Sequence, residues 1–228
     1  MLPRRGRWNE QPRPLDRGGR PSRAESYMSQ VPIPAWNAMQ VLPPVNDLDP
    51  VSPDRSPYEV SLVSVVVRFA TSCQRCRILR GFLGFRATLH QAGITSGFQW
   101  VDGSFSENVE VLEARNPGDV DVVSFLDDPD GDLGQKFPGD LADHGEVKKA
   151  FLVDGYWVET TLPGRNLVTL SAYWYSIWAH RRNSQWKGFL QLDLDPAEDA
   201  DALAELTQIE AGVVPRAPPA GAAQGGQP

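Results

Sequence analysis

Apolar positions at three- and four-residue steps mark the clearest element of the chain. Ile78, Leu79, Phe82, Phe85 and Leu89 fall on one face of a helix that runs to about Gln91. Thr71 or Ser72 fits its N-cap, and Gly93 reads as its stop. Upstream, Ser56-Pro57-Tyr58-Glu59 places Pro at a first helical position and Glu in the first turn, which predicts a helix from Pro57 to about Phe69. The period then shortens. Residues 98–101 form a short strand ending at Gly103, and 105–118 a loop. Val120, Val122 and Val123 mark a second strand, with Asp119 and Asp121 on its opposite face. An acidic, Gly-rich loop covers 127–139, a short helix about 141–149 and a third strand 151–160. An aromatic helix over 170–181, a strand over 188–194 and a helix from Pro196 to about 211 complete the pattern. It predicts an α+β fold, a small mixed sheet with flanking helices, in one domain spanning 51–211.

Composition alters the picture mainly at the ends. Residues 1–27 are rich in Arg, Pro and Gly without hydrophobic periodicity, which predicts a disordered leader, with Met28 as the natural start. Residues 28–50 are punctuated by Pro and read as extended chain wrapping the surface; residues 212–228 read as a disordered tail. The formal charge of −7 makes the chain a poor partner for a nucleic-acid backbone. No apolar run approaches the roughly 18 residues of a membrane span, and no secretory signal is visible. Cys73 and Cys76 fit a reducing compartment, so the expected location is the cytoplasm.

The chemistry concentrates in Asp119-Val120-Asp121-Val122. Residues two apart on a strand share a face, so both carboxylates project together. Two convergent carboxylates need solvent, a cation or a metal, and Mg2+ suits them because it takes oxygen ligands and keeps substrate phosphates in its shell. In Phe151-Leu152-Val153-Asp154-Gly155-Tyr156-Trp157-Val158, one acid interrupts an apolar run. If that strand lies beside the second, Asp154 reaches the same spot and completes the carboxylate set of a metal-dependent phosphoryl-transfer site. Gly103-Ser104 supplies the other half: Gly lets backbone amides approach an anion, and the Ser hydroxyl can donate to a phosphate oxygen.

This combination resembles the polymerase β-type (minimal) nucleotidyltransferases, whose pattern is Gly followed by Gly or Ser, a spacer, Asp-apolar-Asp/Glu-apolar and a third acid on a later strand. The likeness covers about residues 97–160. The stretches Gly97 to Phe105 and Asn116 to Val123, with Pro32 to Pro44, Asp154-Gly155-Tyr156-Trp157 and Trp186-Lys187-Gly188-Phe189, also look like an uncharacterised bacterial family of nucleotidyltransferase-like proteins. The resemblance implies a nucleotidyltransferase-like fold, Mg2+ as cofactor and an NTP as substrate. Asp119, Asp121 and Asp154 would be its catalytic and metal residues, and Gly103 and Ser104 its phosphate turn. This chain departs in three ways: Asp102 replaces an apolar residue before Gly103, the spacer 105–118 is long, and Phe105-Ser106-Glu107 stands where many minimal members carry Arg. A triphosphate would then need Lys148, Lys149 or Arg165.

Blander readings stand beside these. The Asp119/Asp121 pair could be a solvated strand face, Asp154 could cap or pair with Arg165, and Asp102 could be a fourth site acid but reads best as a turn residue. Asp127, Asp128, Asp130 and Asp132 lack the Gly and Glu positions of a calcium loop. Cys73-Gln74-Arg75-Cys76 lacks both a redox context and further zinc ligands. Trp174, Trp178 and Trp186 could stack a base, but at helical spacing they read as core, and His180 as a structural residue at a helix C-terminus. Two functions remain: a metal-dependent transfer of a nucleoside monophosphate from an NTP to a protein or small-molecule hydroxyl, and a non-catalytic partner protein keeping this fold in a toxin–antitoxin or defence module.

Overall fold

The computed structural model describes residues 33–213. The expected leader, the start of the extended segment and nearly all of the tail lie outside them. In chain order the elements are β1 (Tyr58–Glu59), α1 (Leu62–Phe69), α2 (Cys73–Gln91), β2 (Gly97–Asp102), α3 (Val109–Leu112), β3 (Val120–Leu126), α4 (Leu133–Lys136), α5 (His144–Phe151), β4 (Val153–Glu159), α6 (Gly164–Trp178), β5 (Leu190–Asp193) and α7 (Asp199–Val213). Short 3-10 turns at Gly139–Leu141 and Pro196–Glu198 precede α5 and α7. This is a mixed α+β architecture, as the periodicity predicts. Among the described residues, no helix is long and apolar enough to cross a membrane.

The five strands form one sheet in the order β1-β5-β2-β3-β4. β2 runs antiparallel to both β5 and β3, whereas β3 and β4 are parallel, and so are β1 and β5. Alternation along each strand divides the core in two. Val101, Val120, Val122, Val153, Leu190 and Leu192 face a layer built by α1, α2, α5 and α7. Trp100, Val123, Phe125, Val158 and Phe189 face the other way, towards α6. Four helices therefore cover one face and a single helix covers part of the other.

Several boundaries correct the sequence reading. The segment expected to be helical from Pro57 begins instead as β1, because Tyr58 and Glu59 pair with Leu190 and Gln191. The helix starts after Ser61, whose hydroxyl accepts from the Ser64 N–H. The α2 N-cap is Ser72, which accepts from the Arg75 N–H, and Gly93 takes the left-handed φ of +82°. The loop 105–118 contains α3, and Phe151 closes α5 rather than opening β4. The aromatic helix begins earlier than expected, at Gly164. The N-terminal segment does more than wrap the surface: Val41 and Leu42 are fully buried, and Gly188 donates to the Leu42 carbonyl. Trp178 is core, Trp174 is partly buried against it, and Trp186 is 63% exposed, contrary to its expected burial.

Two buried arginines tie the layers together. Arg86 of α2 reaches Gln99 of β2, the backbone carbonyls of Asp193 and Asp195, and both oxygens of Asp199 at the start of α7. Arg75 does the same service for the segment following β2. It bonds the carbonyls of Phe105 and Glu107 and forms a bidentate pair with Glu110. Planar guanidinium groups suit such multi-acceptor junctions, since five fixed donors can be satisfied at once.

Candidate functional site

Sheet topology gathers the acids. Because β2 is antiparallel to β3, its C-terminal end lies beside the β3 start; because β4 is parallel to β3, its start lies there too. The register sets Asp102 opposite Asp121, and Asp121 opposite Asp154, in one row across three strands. Trp100, Val123 and Tyr156, each two residues along its strand from one of these acids, belong to the core beneath α6. All three carboxylates thus occupy the face that, among the described residues, α6 is the one helix to cover. Asp119 stands just before β3 rather than within it.

The turn after β2 fits against this row. Gly103 has φ of +82°, and a Cβ there would lie 1.7 Å from Oδ2 of Asp121. Only glycine allows both the left-handed backbone and the carboxylate packed over it. Ser104 follows, partly buried. The Ser106 hydroxyl donates to Oδ1 of Asp102 at 2.9 Å, and the Trp36 indole N–H donates to the Ser106 carbonyl at 2.8 Å. With Arg75 gripping the next carbonyls, the turn is held from three directions.

Two lysines meet the acidic row from opposite sides. Lys187 is buried; its Nζ lies 2.9 Å from Asp102 Oδ2, 3.0 Å from Glu107 Oε1 and 3.4 Å from the Gly103 carbonyl. Burial pulls its ammonium down, but the two carboxylates outweigh that and hold it charged. The network continues through Arg181, 2.9 Å from Glu107, to Glu113 and Arg115. Lys148, near the end of α5, sits on the other side. Its Nζ is 2.5 Å from Asp119 Oδ2 and 3.4 Å from Asp154 Oδ2. The hydrogen bond to Asp119, more than the charge of Asp154, raises its pKa.

Asp121 is left without such a partner lysine. Burial raises its carboxyl to about 7, reinforced by Asp102, Asp119 and Asp154 and opposed by Lys187. A carboxyl that titrates near neutrality inside a carboxylate row is a local excess of negative charge, the condition under which such groups recruit a cation or a proton. Hard oxygen donors of this kind fit magnesium. Among the described residues, no group of three or more His, Cys, Asp or Glu side chains is drawn together at metal-ligand spacing. The ammonium of Lys148 lies between two of the acids instead.

The structure brings the five expected residues to one end of the sheet: Gly103, Ser104, Asp119, Asp121 and Asp154. It corrects Asp102, which is no turn residue but the buried last residue of β2, aligned with Asp121. Asp154 pairs with Lys148 rather than Arg165. Lys187, Glu107, Arg181 and Arg75 were not singled out by spacing, because each acts from an element distant in sequence. The one available signal was charge inside apolar context, as at Lys187 within Trp186-Lys187-Gly188-Phe189. Cys73 is exposed and Cys76 buried, both as free thiols within α2.

Neither the curated proteins nor the solved structures contain a match to this chain. A family does match, over residues 34–193, a span that takes in the acidic row, its glycine turn and both lysines. The chain belongs to the family of unknown function DUF6932.

Proposed function

We propose that the protein is a metal-dependent nucleotidyltransferase, moving a nucleoside monophosphate from an NTP to a hydroxyl of a protein or small molecule. The observation that carries this reading is the row Asp102–Asp121–Asp154 with Asp121 packed over the Gly103 turn. It joins a carboxylate cluster to a glycine turn suited to phosphate, which phosphoryl transfer requires and a merely solvated strand face does not. A cytoplasmic location, where NTPs are made and used, is part of the proposal.

Asp119, Asp121 and Asp154 would hold magnesium, which when bound supplies positive charge against the phosphates. Gly103 and Ser104 would seat a phosphate oxygen. The acceptor oxygen attacks the α-phosphorus, the bond to the bridging oxygen breaks and pyrophosphate leaves. The hydroxyl proton passes to a carboxylate of the row, with Asp154 placed at its outer strand to receive it. Lys187 and Arg75 hold the turn and take no part in the chemistry.

Incubating the full chain with NTPs labelled at the α-phosphate, magnesium and candidate acceptors tests this. Asp121→Asn and Asp154→Asn are expected to lower incorporation by about 100-fold or more. Undiminished incorporation in Asp121→Asn contradicts the assignment. The alternative, a non-catalytic partner protein in a toxin–antitoxin or defence module, draws on Lys148, which already neutralises two of the acids from within the chain. A stoichiometric protein partner without NTP turnover would favour it.

A further inference from the structure

We infer that Lys148 is an exchangeable internal cation: it occupies the acidic row in the nucleotide-free protein, gives way to a divalent cation, and then binds the triphosphate. The inference rests on the proposed nucleotidyltransferase site and assigns the phosphate-binding cation that the Gly103-Ser104 turn lacks.

Two cations contact the row, and they differ in freedom. Lys187 is 5% exposed at its side chain and is held by Asp102, Glu107 and the Gly103 carbonyl. Its removal would strand buried carboxylates, so it is fixed. Lys148 is 52% exposed, whereas the acids it bridges, Asp119 and Asp154, are 18% and 24% exposed. Its long stem rises from the last turn of α5, and its ammonium bridges Asp119 and Asp154. An exposed ion pair of this kind opens at little cost, since water takes over the ammonium.

The alternatives for a phosphate ligand are weaker. Lys149 is 78% exposed and turned to Glu146 on its own helix. Arg165 is exposed in the first turn of α6, beyond the far end of β4, whereas the acids lie at the β4 start. Lys148 already contacts two of the acids that would hold the metal, so a triphosphate bound to that metal would come beside it. A divalent ion beside Asp119 and Asp154 repels the ammonium and attracts phosphate, so one displacement serves both events.

In the full chain without nucleotide, Mn2+ binding read by electron paramagnetic resonance should tighten about twofold to fivefold in Lys148→Met, the range set by losing one exposed ion pair. With Mg2+ saturating, binding of a non-hydrolysable NTP analogue should weaken about tenfold in the same variant, the loss of one phosphate contact. Lys148→Arg should keep both values near those of the parent. A change merely in folding would weaken both, and that result overturns the inference, as does no change in either. If the parent and Lys148→Met bind Mn2+ equally while Asp121→Asn does not, the exchange role falls and the metal site stands. If the parent chain binds no Mn2+, the site reading itself falls, and the exchange with it.

Discussion

At Gly103 the lack of a side chain is what admits the Asp121 carboxylate. Gly103→Ala should cost about 1–3 kcal/mol from the left-handed backbone and displaced carboxylate together, measured by chemical denaturation, and should also abolish NTP binding. Asp121 itself carries the opposite signature. Its carboxyl holds a proton up to about 7 in the fold, against 3.8 for the free side chain. Between those values the folded chain binds more protons than the unfolded one, so stability falls as pH rises through the window and the penalty is complete above it. Asp121→Asn should therefore stabilise the protein by about 1–2 kcal/mol above neutral pH and change little below about pH 4. A variant that gains stability while losing activity is the mark of a site residue; one that loses both would make Asp121 structural. On the other side of the row, Lys187→Met should cost about 3–5 kcal/mol, because it leaves Asp102 and Glu107 buried without a cation.

Between elements, α2 and α5 approach closely at Gly81. A Cβ at Gly81 would meet the Phe151 carbonyl at 1.9 Å. Gly81→Ala must push α5 outward, carrying Lys148 away from Asp119 and Asp154. The expected cost is about 1–3 kcal/mol, as for other overpacked contacts, and Mn2+ binding should shift in the direction of Lys148→Met. A destabilised variant with unaltered Mn2+ affinity would separate helix position from the lysine. The elements show what sequence can convey. The helix over 73–91, its Ser72 cap and the β3 strand follow from local periods and caps, and so were legible. The two-residue β1 was not, because its identity as strand comes from pairing with Leu190 and Gln191, over a hundred residues away. The burial of Asp102 is illegible for the same reason: Lys187, which makes it tolerable, arrives from the segment before β5.

Across the whole molecule, the site exists because strand directions differ. One antiparallel and one parallel neighbour of β3 bring one strand end and two strand starts to the same edge, on the face that α6 packs against. The spacing of Asp119 and Asp121 could be read from the sequence, and Asp154 could be proposed, but their common row depends on the order β2-β3-β4. With a net charge of −7, the proposed function requires that positive charge for a nucleotide come locally, from Lys148 and a bound metal, rather than from the surface as a whole. The most direct test of the account is calorimetric titration of an NTP into the full chain with and without Mg2+. Binding should require Mg2+ and be lost in Asp121→Asn while that variant remains folded. Binding that is indifferent both to Mg2+ and to Asp121→Asn would contradict it.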